Sequence, residues 1–485
     1  MRIATRLPRA LVCALILLVL PNGSWAMETQ EKTQEVQTCN VLFIAVDDLR
    51  PQLACYGESQ MHTPNFDALS RRSVLFERAY CMVPTCGASR ASLMTGIRPS
   101  PKRFVSYTAR ADQETPDATT LNTLFKQNGY TTISLGKVFH FTNDSAGGWS
   151  KMPWRSQRSD YQNMNLQSSA ITRHRQKYPK RKKVRGMPYE SAEAADHDYR
   201  DHETASKAID YLKQFSNTGE PFFLAIGFNK PHLPFCAPKR FWDLYPDHVI
   251  QLPENDVSPK DVPEGAVHGS GELRAYATIP PSGPVSKDTA RSLIHGYYAC
   301  VSFVDAQLGR ILAELDQSGL SESTIVVLWG DHGWQLGEHG MWNKHSCFET
   351  SMHSPLMIAA PGYARGARCE SLTEFIDIYP TLCALTNLKT PGHVQGVSLT
   401  PWLKDPSLPG KVSAVGRFQK GDTIRTDFYR YSEYRDQNGA GSVSGAMLYD
   451  HRRDPREDEN LSGVVGQEQN EASLSSELSL RKGRD

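Results

Sequence analysis

The segment VPTCGASRASLMTGIRP, residues 83–99, sets Cys86 between a loop and the start of a helical pattern, with Arg90 one turn further on. A thiol at a helix N-terminus beside an arginine is expected to be activated, because both features favour the thiolate; a nucleophile is the chemical reading. A buried cysteine also serves plain packing, so the meaning of Cys86 depends on its surroundings. Two acidic pairs supply them. Asp47-Asp48 ends the apolar run NVLFIAV, and Asp331-His332 ends STIVVLWG. If those runs are neighbouring strands, three carboxylates and an imidazole meet at one edge, and so many anions together demand a positive partner. A hard divalent cation with oxygen ligands meets that demand, Ca²⁺ ahead of Mg²⁺. Single acids at such places also cap helices and turns, but two pairs, each closing an apolar run, favour the metal.

Cationic groups follow the same pattern. GYTTISLGKVFH places Lys137 and His140 three residues apart beyond another apolar run, FNKPHLPF offers Lys230 and His232, and GEHGMWNKHS supplies Lys344. Singly, such residues are usually solvated surface groups. Taken with Arg90 and a metal, they describe a pocket for a tetrahedral oxyanion with groups ready to move protons. Phosphate and sulfate esters are the candidate substrates.

The elements that must hold these residues are legible in outline. The runs NVLFIAVDD, YTTISLG, PFFLAIGF, STIVVLWGD and SPLMIAAPG read as buried strands. Between them lie helical patterns: TPNFDALSRRS, the stretch from Ser89, DHETASKAIDYLKQF, the long run from Lys287 to Gly319, and TEFIDIYPTLCALT. Strands alternating with helices predict an α/β fold with a large, mostly parallel sheet flanked by helices, whose ligands gather beyond the carboxyl ends of the strands. After about residue 395, AVGRFQ, TIRTDFYRYSEYR and AMLYDHRRDPRE read as a smaller antiparallel α+β C-terminal subdomain. The expected organisation is a catalytic domain over 40–395, this subdomain over 396–462 and a flexible Glu/Ser/Gln-rich tail over 463–485. Residues 150–200 form an irregular insertion whose RHRQKYPKRKKVRG carries eight basic residues, read as a solvated loop rather than a polyanion dock.

At the N-terminus, Arg2, Arg6 and Arg9 precede the apolar stretch Ala10–Leu20 and then Ser24-Trp25-Ala26, which reads as a secretory signal peptide over 1–26. The apolar stretch is about half of the roughly 20 residues a spanning helix needs, so no stable membrane span is expected. Residues 27–39 read as a disordered lead-in. Export points to a periplasmic, extracellular or lysosome-like compartment. Of the 54 basic and 53 acidic residues of the 485-residue chain, cleavage removes three basic ones, leaving a net charge of about −2 and no global case for nucleic-acid binding. Nine of the ten cysteines remain, an odd number that leaves at least one outside any internal disulfide. Asn143 and Asn460 begin glycosylation sequons.

CGASRASLMTGIRP and GYTTISLGKVFH resemble the two signatures of the sulfatases of the alkaline phosphatase superfamily, C-x-P/A-x-R followed by Leu-x-Thr-Gly being the first. NVLFIAVDDLRPQLACYG, NKPHLPF, SPLMIAAPG and GDHGWQLGEHGMWNKHS are most similar to the iduronate-2-sulfatase members, and the likeness runs from about Asn40 to LYDHRRDPREDENL. The resemblance implies an alkaline phosphatase-like fold and cleavage of sulfate esters on a sulfated sugar or uronic acid of a glycosaminoglycan or algal polysaccharide. It implies that Cys86 is oxidised to formylglycine, whose hydrate attacks sulfur and later expels sulfate. Asp47, Asp48, Asp331 and His332, with the residue at 86, would hold Ca²⁺. Arg90 and Lys137 would stabilise the hydrated aldehyde, His140 would act as base, and His232 would protonate the leaving oxygen. Lys344 would bind a sulfate oxygen and a substrate carboxylate, and Trp334 would touch the sugar. The chain departs from the commonest signature at Ala88, where most members have proline; alanine suits the radical-type maturating enzyme better than the oxygen-dependent formylglycine-generating one. Two other readings stay open at this point: a phosphoester or phosphonate hydrolase of the same superfamily, for which only one clear metal site is visible, and an inactive glycan-binding protein with Cys86 unoxidised, favoured by Ala88 and the basic insertion.

Overall fold

Seven strands form the central sheet of the computed structural model, which describes residues 39–181, 183–439 and 441–483. In chain order they are β1 (Asn40–Val46), β2 (Val74–Tyr80), β3 (Thr131–Gly136), β4 (Phe222–Phe228), β5 (Thr324–Gly330), β6 (Leu356–Ala359) and β7 (Ala367–Glu374). Across the sheet they lie as β7-β2-β6-β5-β1-β4-β3. β1 pairs in parallel with both β4 and β5, while β6 runs antiparallel to its two neighbours. All seven residues of β1 are buried, and their period of two divides them between the two faces: Val41, Phe43 and Ala45 enter one core, Leu42, Ile44 and Val46 the other. A strand covered on both sides reads as a continuous apolar run for this reason. Fully burying a side chain such as Phe43 contributes about 1.5–3 kcal/mol.

Helices cover both faces. The longest, Lys287–Gln317, starts at Ser286, whose hydroxyl accepts from the Thr289 N–H, and packs against the helix Arg200–Thr218. No helix of the described residues is long and apolar enough to cross a membrane. The signal peptide and all but the last residue of the lead-in expected over 27–39 lie outside the described residues.

The C-terminal strands Ser413–Phe418, Gly421–Thr426, Tyr429–Arg435 and Val443–Asp450 form a four-stranded antiparallel sheet in simple order. It is tied into the rest of a single compact unit: Ala414, Val415, Ile424 and Leu448 share a core with Val41 and Phe43. Three expectations are corrected. β2 and β7 join the sheet from VLFERAY and ARCESLTE, which the pattern of continuous apolar runs passes over because charged residues interrupt them. The segment TEFIDIYPTLCALT is helical only from Phe375, since Thr373 and Glu374 end β7. The tail expected to be flexible carries the helix Glu468–Arg481, held down by buried Leu474 and Leu478.

Candidate active site

β5 lies directly beside β1, with Val46 opposite Gly330, so the two acidic pairs leave the sheet side by side. The ladder continues past the strands: the Asp47 N–H donates to the Phe228 carbonyl and the Asp331 N–H to that of Val46, each at 3.2 Å. Consecutive strand residues point to opposite faces, yet Asp47 and Asp48 serve the same site. Asp48 achieves this with φ of 61°, a left-handed conformation that aspartate tolerates better than most residues. Tyr297, from the long helix, pins the turn by donating its hydroxyl to the Asp48 carbonyl at 2.8 Å and accepting from the Arg50 N–H.

Cys86 is the first residue of the helix Cys86–Thr95 and is 3 % exposed. Its neighbour must be glycine, because a Cβ at Gly87 would sit 2.0 Å from the Tyr107 carbonyl oxygen. One turn on, the fully buried Arg90 donates Nε to Asp331 and Nη2 to Asp47, both at 3.0 Å, and Nη1 to the carbonyls of Lys137 and Val138. Lys137 enters from the end of β3 and pairs with the second oxygen of Asp47. Its loop is held against β4, where a Cβ on Gly227 would lie 2.0 Å from the Lys137 carbonyl. Lys344 Nζ donates to Asp48 Oδ1 at 2.9 Å and meets Glu272 Oε2 at 3.0 Å.

Two histidines have their roles fixed by backbone carbonyls, which only accept. His332 Nδ1 donates to the Gly333 carbonyl, so in the neutral imidazole Nε2 turns a lone pair toward Cys86 Sγ and Asp48 Oδ1, each at 3.4 Å. His232 Nδ1 donates to the Leu233 carbonyl, while Nε2 faces Glu272 at 3.1 Å and Asp48 at 3.8 Å. Burial opposes the charge of His232, but Asp48 prevails and raises its pKa, so this imidazole is a proton donor. His140 is the opposite case. Burial, then Lys137, push its pKa down to about 3, and its buried Nδ1 has no partner, which leaves a neutral imidazole able to take a proton.

The carboxylates divide as well. Burial works to raise Asp47, yet Lys137, His232 and Arg90 hold it well below the usual range, whereas burial leaves Asp48 above it. The thiol of Cys86 does not follow the sequence expectation of activation. Burial, then the charge of Asp47, raise its pKa well above normal, outweighing Lys137, Lys344 and the helix N-terminus. An unmodified Cys86 is therefore a poor nucleophile.

Donor atoms of Asp47, Asp48, Cys86 and His232, and of Cys86, Asp331 and His332, lie within 4.8 Å of one another in each group. Three carboxylates and the His332 imidazole gathered around residue 86 suit a hard divalent cation, so the residues fit a metal. Beside them opens a cavity of about 280 Å³ lined by Asp47, Lys137, His140, Arg155, Lys230 and His232, among others. Cys86, Arg90, Lys137, His232, Lys344, Asp47, Asp48, Asp331 and His332 are thus brought together, with His140 on the cavity wall. Trp334 is not at the mouth: at 1 % exposed it packs edge-on to Phe235 beneath the Lys344 ammonium, 4.7 Å from its ring centroid, so it supports Lys344 and cannot touch a sugar. Sequence reasoning missed Glu272, which comes from an irregular segment with no periodic signal, and Arg155, Asp160 and Arg200 on the cavity wall. Cys55, Cys81, Cys86, Cys236, Cys300, Cys347, Cys369 and Cys383 are free thiols.

A mostly parallel sheet with acids, cations and a helix-start cysteine beyond its carboxyl edge defines a hydrolase of the alkaline phosphatase-like fold. The family model described as Sulfatase matches residues 39–388, and that described as N-sulphoglucosamine sulphohydrolase, C-terminal, matches 337–483. The chain belongs to the sulfatase family and is a sulfuric ester hydrolase. It is 30 % identical to iduronate 2-sulfatase of Homo sapiens over 90 % of this chain and 92 % of that protein, and 33 % identical to a sulfatase of Formosa agariphila over 88 % and 84 %. In fold it is similar to BT4656, solved with its substrate D-glucosamine-2-N,6-O-disulfate (TM-score 0.70, 19 % identity, 91 % and 97 % covered). The phosphonate monoester hydrolase of Agrobacterium radiobacter shares the fold equally well (TM-score 0.72, 21 % identity, 91 % and 95 % covered).

Proposed function

We propose that this sulfatase removes sulfate from a sulfated sugar or uronic acid, using residue 86 as formylglycine and Ca²⁺ held by Asp47, Asp48, Asp331, His332 and residue 86. The observation that carries the reading is the placement of residue 86: buried and first in its helix, its Sγ lies within 4.8 Å of donor atoms of Asp47, Asp48 and His232 and of Asp331 and His332, so the nucleophile's position falls among the anion- and metal-binding groups. As the hydrated aldehyde it would supply one hydroxyl to attack sulfur and expel the alcohol, and a second whose deprotonation reforms the aldehyde as the bond from carbon to the sulfate oxygen breaks; a bound cation would draw charge from the sulfate oxygens.

The chain's own residues do the rest. Arg90 holds Asp47 and Asp331 in place and keeps positive charge beside residue 86. Lys137 and Lys344, both buried against carboxylates, steady the sulfate oxygens and the hydrated aldehyde. His232, charged, donates the proton that the departing alcohol requires, and Glu272 keeps its Nε2 aimed. His140, neutral, accepts the proton whose loss frees sulfate. A sugar substrate is supported by the likeness to iduronate 2-sulfatase and by the disulfated glucosamine bound to the similar structure. The basic, apolar N-terminal segment supports export with cleavage after Ala26, and the dedicated maturating enzyme would be of the type that accepts Ala88.

Mass spectrometry of the peptide containing residue 86, run beside aryl sulfate hydrolysis, tests the reading. The expected result is an aldehyde or its hydrate in proportion to activity. A fully active preparation with the thiol intact overturns it.

A further inference from the structure

Four cations line the cavity beside the sulfate-binding groups, and three are matched by a carboxylate. Lys137 is paired with Asp47, and both Lys230 and Arg200 with Asp160, at 3.1 and 3.3 Å. Arg155 is the exception. Its Nε donates to the Gly136 carbonyl at 3.1 Å and its Nη2 to the carbonyls of Phe139 and His140, and no carboxylate among the described residues lies within ion-pair distance. Carbonyls fix the guanidinium in place without neutralising it. Burial, then Arg90, lower its pKa to about 10, which still leaves it charged at neutral pH. A rigid, partly buried, unneutralised guanidinium fork on the wall of a substrate cavity, its Nη1 outside these three bonds, is a receptor for an anionic oxygen. Lys344, expected from the sequence to read a substrate carboxylate, is 2 % exposed and already engaged by Asp48 and Glu272, so that task falls elsewhere.

We propose that Arg155 binds a second anionic group, a carboxylate or a further sulfate, on the sugar whose sulfate ester is cleaved, and so sets substrate choice. This rests on the sulfatase reading above.

The test compares wild type, Arg155→Gln and Arg155→Lys on four substrates: 4-nitrophenyl sulfate, a 2-O-sulfated uronide, its carboxyl-reduced analogue, and N,6-O-disulfated glucosamine. Arg155→Gln is expected to raise KM roughly ten-fold or more for the uronide, the disulfate or both, as loss of a charge-assisted bond should. The loss on the aryl sulfate and the reduced analogue, which reports the support Arg155 gives the 136–140 loop, should be at least about five-fold smaller than the loss on the charged substrate. Arg155→Lys should recover part of the KM but not all, because the charge returns without the fork. The uronide and disulfate arms separate carboxylate from sulfate as the group read. A uniform loss on all four substrates would overturn the proposal, assigning Arg155 to the support of the 136–140 loop alone; so would no loss on any. Should Arg155→Gln fail to fold, inhibition of wild-type aryl sulfate hydrolysis decides. The desulfated uronide, or N-sulfated glucosamine as the product of 6-O-ester cleavage, should compete roughly ten-fold better than their uncharged analogues, and equal competition overturns the proposal. A wild-type enzyme inert on every sulfate ester would overturn the parent reading and this one with it, whereas activity with uniform loss overturns this one alone.

Discussion

Two buried charge clusters sit in this molecule, and only one is built for chemistry. At the seam between the central sheet and the C-terminal strands, Arg98 grips Glu374 with both ends of its fork, and Lys411 bonds Glu374 and Asp377 at 2.6 Å. The same carboxylate oxygens also accept the backbone N–H groups of Val415, Val397 and Glu374. Two cations meet two anions and every acceptor is used. At the strand edge, by contrast, donor atoms of Asp47, Asp48, Cys86 and His232 and of Cys86, Asp331 and His332 crowd within 4.8 Å in each group, His140 keeps an unpartnered Nδ1, and a cavity opens alongside. Buried charge as such therefore marks nothing; crowded ligand atoms beside accessible space mark function.

That contrast can be broken by substitution. Asp331→Asn or Asp47→Asn is expected to cut aryl sulfate hydrolysis on the order of 100- to 1000-fold while the fold persists by circular dichroism; retained activity would remove these acids from the site. Glu374→Gln should do the reverse, leaving Arg98 and Lys411 underpaired at a cost of about 3 kcal/mol or more in denaturant unfolding, with kcat of the remaining folded enzyme nearly unchanged.

Metal sharpens the comparison further. Ca²⁺ at a hundred times its Kd should stabilise the protein by about 2.7 kcal/mol, read as a rise in melting temperature that chelation reverses. Asp48→Asn should abolish the rise. Glu349→Gln should not, although Glu349, His451 and Glu457 also group closely, because Arg425 and Arg430 already pair with those two acids.

The smallest effect is in pH dependence. His232 has a raised pKa, so its charged donor form is complete below about 6.5 and is lost as pH rises through the higher folded value; kcat should fall on that alkaline limb. His140, at about 3, should impose no acidic limb between pH 5 and 7. His232→Asn should flatten the alkaline limb as well as lower kcat, and an unchanged limb would assign it to another group.

Much of this was legible in the sequence because β1 and β5 are buried on both faces and end in acids, so both the strands and the metal-binding groups announce themselves in one run of letters. β2 and β7 were hidden by the charged residues that interrupt VLFERAY and ARCESLTE. Trp334 was misread because its position directly after His332-Gly333 says nothing about the direction of its ring. Glu272 and Arg155 left no trace, since each lies in irregular chain brought to the site by long-range folding alone. The suppressed thiol of Cys86 was unreadable for a related reason: its burial and the approach of Asp47 are tertiary facts.

The left-handed turn at Asp48 makes the first strand a measuring rod. One residue added to or taken from 40–46 would carry Asp47 to the opposite face of the sheet, stranding it in the core occupied by Leu42 and Ile44. Divergence toward new sugars therefore has to proceed through length and composition of segments such as 150–199, where Arg155 sits, while the count of residues ahead of the acid pair stays frozen.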